Sequence, residues 1–275
     1  MSNTASPNSH SPAAAPVVFV HGLWLHASSW FPWIEAFAEA GHPAIAPTWP
    51  NEPDSVEAAR EQADSQAGTG IDDVVEHFTK IIADMPTAPI LIGHSFGGTI
   101  VERLLGQGVG RAGIAIDAAP IKGVLPLPIS SLRSAFPVLK NPANKNRAIS
   151  LTADQFRYGF GNAIPADESD DLYHQWNIPA PGRPLFQAAT ANFTPHSQAA
   201  VDTDNETRGP LLLIAGGQDH TVPEVVSKST FKQYRHSDAT TEFQAFPDRG
   251  HSLVIDSGWH DIADACLSWL HGKGM

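Results

Sequence analysis

Gly93-His94-Ser95-Phe96-Gly97 fits the pattern G-x-S-x-G, which places one hydroxyl between two residues that lack a side chain. A serine hydroxyl is a poor nucleophile until a base takes its proton, and the base in turn needs a group to orient it. Two later stretches supply both. Leu211-Leu212-Leu213-Ile214-Ala215 runs into Gly216-Gly217-Gln218-Asp219, and Phe246-Pro247-Asp248-Arg249-Gly250 runs into His251. Taken singly, Asp219 reads as a turn residue and His251 as a surface histidine. Together with Ser95, each just past an apolar run, they read as nucleophile, orienting acid and base in that chain order. Asp117 is the rival acid, because it too ends an apolar run. The Gly-Gly turn before Asp219 and the closeness of its strand to the histidine strand favour Asp219. Asp117, followed by Ala118-Ala119-Pro120, reads better as a cap at the entry to the next segment. Asp248 is read as shaping its turn.

Acyl transfer through a serine also needs donors for the developing oxyanion. One is the backbone N–H of Phe96, directly after the nucleophile. The second is expected from His21-Gly22-Leu23-Trp24, the loop after the first apolar run, with Leu23 as the donor and Trp24 as the alternative register.

These residues need a scaffold that brings strand ends together. Short β-branched apolar runs at 17–20, 44–46, 89–93, 113–117, 211–215 and 241–246 alternate with helical patterns, the mark of a parallel sheet covered on both faces. Helical spacing is read from Trp30 to the stop at Gly41, over a polar surface stretch at 55–67, and along Ile71, Val74, Val75, Phe78, Ile81 and Ile82. Further helices are expected at 96–105 and at 259–270, the latter turning Ile262, Cys266, Trp269 and Leu270 inward. Open sheets of this kind carry their sites past the carboxyl ends of the strands.

Residues 118–208 break the rhythm and show no convincing strand. Thr152-Ala153-Asp154-Gln155 has capping-box form, and helices are expected at 166–176 and 185–193. So long a stretch reads as an inserted helical cap, not a loop. Its aromatic residues, with Leu23 and Trp24, are expected to line an apolar pocket over Ser95, the named lining residues being Trp24, Phe156, Tyr158, Trp176 and Phe186. Arg157 and Arg183 read as solvated, which leaves the pocket without a converging charge.

Seventeen basic against 29 acidic residues give a net charge of −12 and no basic cluster, which argues against nucleic acid. Thirteen histidines suggest metal, yet none pair at ligand spacing, so neither metal nor cofactor is expected. Gly106-Gln107-Gly108-Val109-Gly110 ends a helix instead of following a strand, which removes it as a dinucleotide loop. The one cysteine, Cys266, reads as a buried hydrophobe and fits a reducing compartment. Residues 1–16 read as a disordered tail without the basic start or apolar run of a secretion signal. No window reaches the length of a membrane span, so the two Asn-x-Thr matches at Asn192 and Asn205 carry no weight and the expected location is cytoplasmic. Oligomeric state is not legible.

His21-Gly22 after an apolar strand, Gly-His-Ser-Phe-Gly-Gly, Gly-Gly-Gln-Asp-His and Gly-His-Ser together resemble the α/β-hydrolase superfamily. Within it, they resemble small soluble esterase, lactonase and cofactor-free haloperoxidase-like members. The likeness spans residues 17–270 and is weakest in the cap. It implies an eight-stranded sheet with an antiparallel start. Only the tail precedes Val17, so the first two strands are expected to be absent. The expectation is therefore an α/β-hydrolase fold with a mostly parallel sheet of about six strands flanked by helices. Its core is 17–117 and 209–275, its helical cap 118–208. The expected activity is serine hydrolysis of a medium-sized, uncharged, apolar ester or lactone. Carbon–carbon hydrolysis, a lyase or perhydrolase reaction on the same triad, and a ligand receptor with a vestigial triad are the alternatives.

Overall fold

The computed structural model describes residues 15–275 of the chain. Strand β1 (Val17–Val20) leads through helix α1 (Phe31–Glu39) to β2 (Ala44–Ile45). Helices α2 (Val56–Glu61) and α3 (Ile71–Ala83) return the chain to β3 (Ile90–His94), and α4 (Phe96–Gly106) carries it to β4 (Ala112–Ile116). Next come α5 (Ile129–Leu139), β5 (Ala148–Ile149), α6 (Ala153–Gly159), α7 (Ala166–Trp176), β6 (Ala180–Pro181) and α8 (Arg183–Ala189). The chain then re-enters the sheet at β7 (Leu211–Gly216) and closes with α9 (Glu224–Gln233), β8 (Thr241–Phe246) and α10 (Trp259–Gly272).

Six strands form one sheet in the order β2-β1-β3-β4-β7-β8, with every neighbouring pair parallel. All residues of β1, β3, β4 and β7 are buried, as strands covered on both faces must be. The edge strand β8 is half-buried throughout and carries Glu242 and Gln244 among its apolar residues. Helix α3 buries the expected stripe of Ile71, Val74, Val75, Phe78 and Ile82, and α4 is buried on nearly every side. Each such side chain, fully removed from water, contributes roughly 1.5–3 kcal/mol. Phe19 stacks on Trp30 with ring centroids 4.8 Å apart and meets Trp33 and Phe37 edge-on at 5.9 and 5.3 Å, which fastens α1 to the sheet. In α10 the inward residues are Ile262, Ala263, Cys266 and Leu270, while Trp269 lies at the margin and donates to Glu242.

The register aligns the strand exits. Val20 pairs with Gly93, His94 with Ile116, and Gly216 with Phe246. The segments that follow β1, β3, β4, β7 and β8 therefore meet at one edge of the sheet, with β7 next to β8 and β4 one strand further away.

Several elements differ from the sequence reading. Of the expected tail, residues 1–14 lie outside the described residues. Ala15 and Pro16 are already docked, the Ala15 carbonyl against His42 Nδ1 at 3.1 Å and the Pro16 carbonyl accepting the Ile90 N–H at 2.8 Å. The surface helix expected over 55–67 stops at Glu61, because local turns at Ser65, Ala67 and Thr69 take its backbone donors. Residues 118–208 add no strand to the main sheet, but two-residue β5 and β6 pair antiparallel as a separate ribbon. The capping box at Thr152 and Gln155 forms with both hydrogen bonds and opens α6. Helix α5 was not foreseen. No helix among the described residues is long and apolar enough to cross a membrane.

Candidate active site

Ser95 stands at the turn between β3 and α4 with φ 56° and ψ −123°, a conformation that costs a non-glycine residue on the order of 1–3 kcal/mol. Its N–H donates to the Ile116 carbonyl at 2.9 Å, which ties the turn to the neighbouring strand exit. The flanking glycines are required by packing. A Cβ on Gly93 would overlap the Gly97 carbonyl, and a Cβ on Gly97 would overlap the Val20 carbonyl and lie 2.6 Å from that of His21. The serine side chain faces the cavity described below.

Asp219 lies past β7. Its Oδ1 accepts the N–H groups of Thr221 at 2.6 Å and Val222 at 2.9 Å, and its Oδ2 lies 2.5 Å from His251 Nδ1. Both residues are buried. His251 Nε2 is buried and has no hydrogen-bond partner among the described residues, so the nitrogen that would serve the serine is free to accept. Such contacts are often open without substrate and tighten in the reacting complex.

Asp117 shares this pocket. Its Oδ1 accepts the Gly216 N–H at 2.7 Å, and its Oδ2 stands 4.0 Å from His251 Nδ1, beyond hydrogen-bond reach. Burial first, then the Asp219 charge, holds its carboxyl well above the ordinary 3.8, although the Gly216 N–H pulls the other way. Asp117 thus belongs to a buried carboxyl pair with Asp219 and binds the neighbouring strand exit through the Gly216 N–H, and does not cap the following segment. His94 packs its ring 4.5 Å from that of His251, and neither ring nitrogen has a partner. Burial, and then the nearness of His251, holds it well below 6.5, so it stays uncharged beside His251 at neutral pH. Phe160 closes the other side of His251, edge-on at 4.8 Å. Among the described residues, His94, Asp117 and His251 bring ligand atoms within 4.8 Å of one another, as a metal site would. Asp219, however, already holds His251 Nδ1.

The loop after β1 lies against Ser95. A Cβ on Gly22 would stand 2.7 Å from Ser95 Cβ and 2.9 Å from the His94 carbonyl, so only glycine permits this approach. The N–H groups of Leu23 and Phe96 make no hydrogen bond among the described residues. Trp24, at φ 66°, donates its indole N–H to the Ile149 carbonyl at 2.9 Å and accepts the Ile178 N–H at 3.0 Å. Glu52, which the sequence reading passed over, fixes this loop from behind. Its carboxylate lies 3.0 Å from His21 Nε2 and 3.5 Å from His26 Nε2, and accepts the Ala27 N–H at 3.0 Å. Burial pulls its carboxyl upward, but His21, His26 and the Ala27 N–H prevail and hold it below 4.5.

Glu52→Gln should therefore destabilise the fold by about 1–3 kcal/mol and lower kcat with little change in KM, since the loop it holds lies against Ser95. The sign in pH follows from the depressed carboxyl. Its stabilisation is present above 4.5 and lost as pH falls through the lower folded value. Urea midpoints of both proteins from neutral pH into acid, with steady-state kinetics, check this. Midpoints that fall in parallel would show that Glu52 carries no charge-dependent stability.

A cavity of about 540 Å³ opens onto Ser95. It is lined by Trp24 and Phe96 from the core, by Ile121, Val124, Leu125, Leu127, Leu132 and Leu139 from the segment after β4, and by Leu185 and Phe193 further on. Its polar side chains are Ser95, Ser131, Ser134, Asn192 and Thr221, and no charged side chain lines it among the described residues. Of the five residues expected there, only Trp24 takes part. Phe156 stacks on Phe160 at 4.8 Å in the interior. Tyr158 lies under the Arg133 guanidinium at 4.0 Å and beside His220, while Trp176 and Phe186 pack against the main core. These aromatic residues build the body of the segment, and the aliphatic stretch leading into α5 meets the cavity instead.

The sequence model of the Alpha/beta hydrolase family matches residues 17–265. Among solved structures, the chain is similar to a monoacylglycerol lipase from Paleococcus ferrophilus (TM-score 0.65, 19% identity, covering 94% of this chain and 95% of that one). It is also similar to an Arabidopsis methylesterase (TM-score 0.64, 16% identity, covering 94% and 99%). A pyrethroid hydrolase from Sphingobium faniae gives a TM-score of 0.66 at 16% identity, covering 93% and 96%. No curated protein matches the sequence.

Proposed function

Starting from a chain that belongs to the alpha/beta hydrolase family, we propose that it is a serine hydrolase of medium-sized, uncharged, apolar carboxylic esters or lactones. The observation that carries this reading is the Asp219–His251 hydrogen bond together with a strained Ser95 that lines a cavity in which, among the described residues, no side chain is charged. Three solved structures of similar fold are named a monoacylglycerol lipase, a methylesterase and a pyrethroid hydrolase, which supports hydrolysis. In the mechanism, His251 Nε2 takes the proton of Ser95 Oγ, and the oxygen attacks the carbonyl carbon. The Leu23 and Phe96 N–H groups hold the oxyanion, and Asp219 steadies the imidazolium. The proton then passes from His251 to the leaving alcohol, and water, activated by the same nitrogen, releases the acyl group. Residues 118–208 serve as the cap that keeps water from the serine, and one buried cysteine suits a reducing cytoplasm.

p-Nitrophenyl esters of graded acyl length test the reading. Each methylene taken into the cavity contributes about 0.8 kcal/mol, so kcat/KM should rise roughly fourfold per carbon until the cavity is filled. A terminal carboxylate on the acyl chain should abolish the gain. Absence of turnover with every ester, together with failure of an organophosphonate to label Ser95, would overturn the proposal.

A further inference from the structure

We propose that the acid of this triad is a carboxyl pair, in which Asp117 is a second positioning residue able to hold His251 when Asp219 cannot. The inference rests on the serine-hydrolase reading above and extends it to a residue outside the catalytic triad. Three features carry it. Asp117 Oδ2 is buried, has no hydrogen-bond partner among the described residues, and stands 4.0 Å from the nitrogen that Asp219 holds at 2.5 Å. Its other oxygen is anchored on the Gly216 N–H at 2.7 Å, so the carboxyl can turn about a fixed point. The two acids follow adjacent strands, β4 and β7, and both bring an oxygen towards the same ring nitrogen, His251 Nδ1. A gap of about 1 Å separates Asp117 from a hydrogen bond with Nδ1, within the reach of a small side-chain rotation.

Electrostatics decides which acid holds the ring. Two carboxyls this close and this dry do not both ionise. Asp219, with two backbone N–H donors on its other oxygen, is the acid that holds the ring, while burial and the nearness of Asp219 push the Asp117 carboxyl well above its ordinary range. Removing the Asp219 carboxylate removes that repulsion and vacates Nδ1, so the unpartnered Asp117 oxygen can turn to it in place of Asp219.

The test uses the full chain as wild type, D117N, D219A and D117N/D219A, reacted with a p-nitrophenyl alkylphosphonate. Ser95 Oγ forms a bond to phosphorus, the bond to p-nitrophenolate breaks, and the serine proton passes to His251 Nε2. Asparagine at 117 keeps the shape and the Gly216 contact and removes only the ionisable group. D117N alone should slow labelling by about threefold. D219A should slow it by about two orders of magnitude, short of the four that follow outright loss of the orienting carboxylate. D117N in the D219A background should then cost about a further hundredfold, a coupling that an independent structural contribution does not give. The downfield proton resonance of His251 Nδ1–H should persist in D219A and vanish in the double variant. D219S, whose hydroxyl can still accept the Thr221 N–H, provides a second background should D219A fail to fold. The inference is overturned if D219A alone falls to the level of the double variant, or if D117N costs the same factor in both backgrounds. A wild type that forms no Ser95 adduct would overturn the serine-hydrolase reading and this inference with it.

Discussion

Ser95→Ala is expected to lower kcat on a p-nitrophenyl ester by about six orders of magnitude, with the fold intact. The size of the loss follows from the triad working as a unit. Without the hydroxyl, His251 has nothing to deprotonate except water, and the residual rate comes from oxyanion donors and binding alone. The neutrality of the fold follows from the site itself. Ser95 Oγ makes no hydrogen bond among the described residues, and alanine bears the strain at φ 56° no worse than serine does. Removing an oxygen that faces a cavity leaves no unpaired partner in the core, so the unfolding midpoint should stay within a few degrees. Turnover, thermal unfolding and the mass of the phosphonate-treated protein make the comparison. A variant that keeps more than about one part in a thousand of the activity, or takes up the label elsewhere, would displace Ser95 from its role.

The parts of the site that were legible in the sequence are those where backbone geometry leaves one residue type possible. Gly93 and Gly97 flank the serine because a Cβ would collide with backbone, and Gly22 because it lies against Ser95. Asp219 was favoured over Asp117 by turn composition and strand order, and the structure joins Asp219 to His251 by the hydrogen bond. The four inner strands β1, β3, β4 and β7 were legible because burial on both faces demands continuous apolar runs, which do not depend on the fine packing. The cavity walls were a different matter. Aromatic residues in the 118–208 segment were expected at the pocket, but Phe156 and its neighbours were needed to give that segment a core of its own. Helix α5 was hidden by Pro137 inside it and by outward apolar residues such as Ile129 and Phe136, which blur the helical period. Glu52 and His94 carry no local motif. Their roles arise only from the neighbours that the fold brings to them.

Gly97→Ala is expected to cost about 4 kcal/mol or more, enough to lower the unfolding midpoint by roughly 10 °C or to remove soluble protein altogether. A single methyl has this effect because of what it meets. The added carbon would overlap the Val20 carbonyl oxygen and stand 2.6 Å from that of His21, both of them backbone at the exit of β1. Neither can turn aside as a long side chain could, so helix α4 must tilt or the loop from His21 to Trp24 must retreat. Either movement draws the Leu23 N–H away from the position proposed for the oxyanion. Any molecules that still fold should therefore lose kcat as well, by about two to three orders of magnitude for one lost donor. The control is Gly272→Ala at the end of α10, where the added carbon meets nothing within 4 Å. There the usual helical preference applies, and alanine should leave stability unchanged or raise it by up to about 1 kcal/mol. Denaturant midpoints of the two variants beside the wild type separate steric demand from propensity. Equal midpoints for Gly97→Ala and Gly272→Ala would mean that the elbow has room the structure does not show, and the packing account of G-x-S-x-G in this chain would fail.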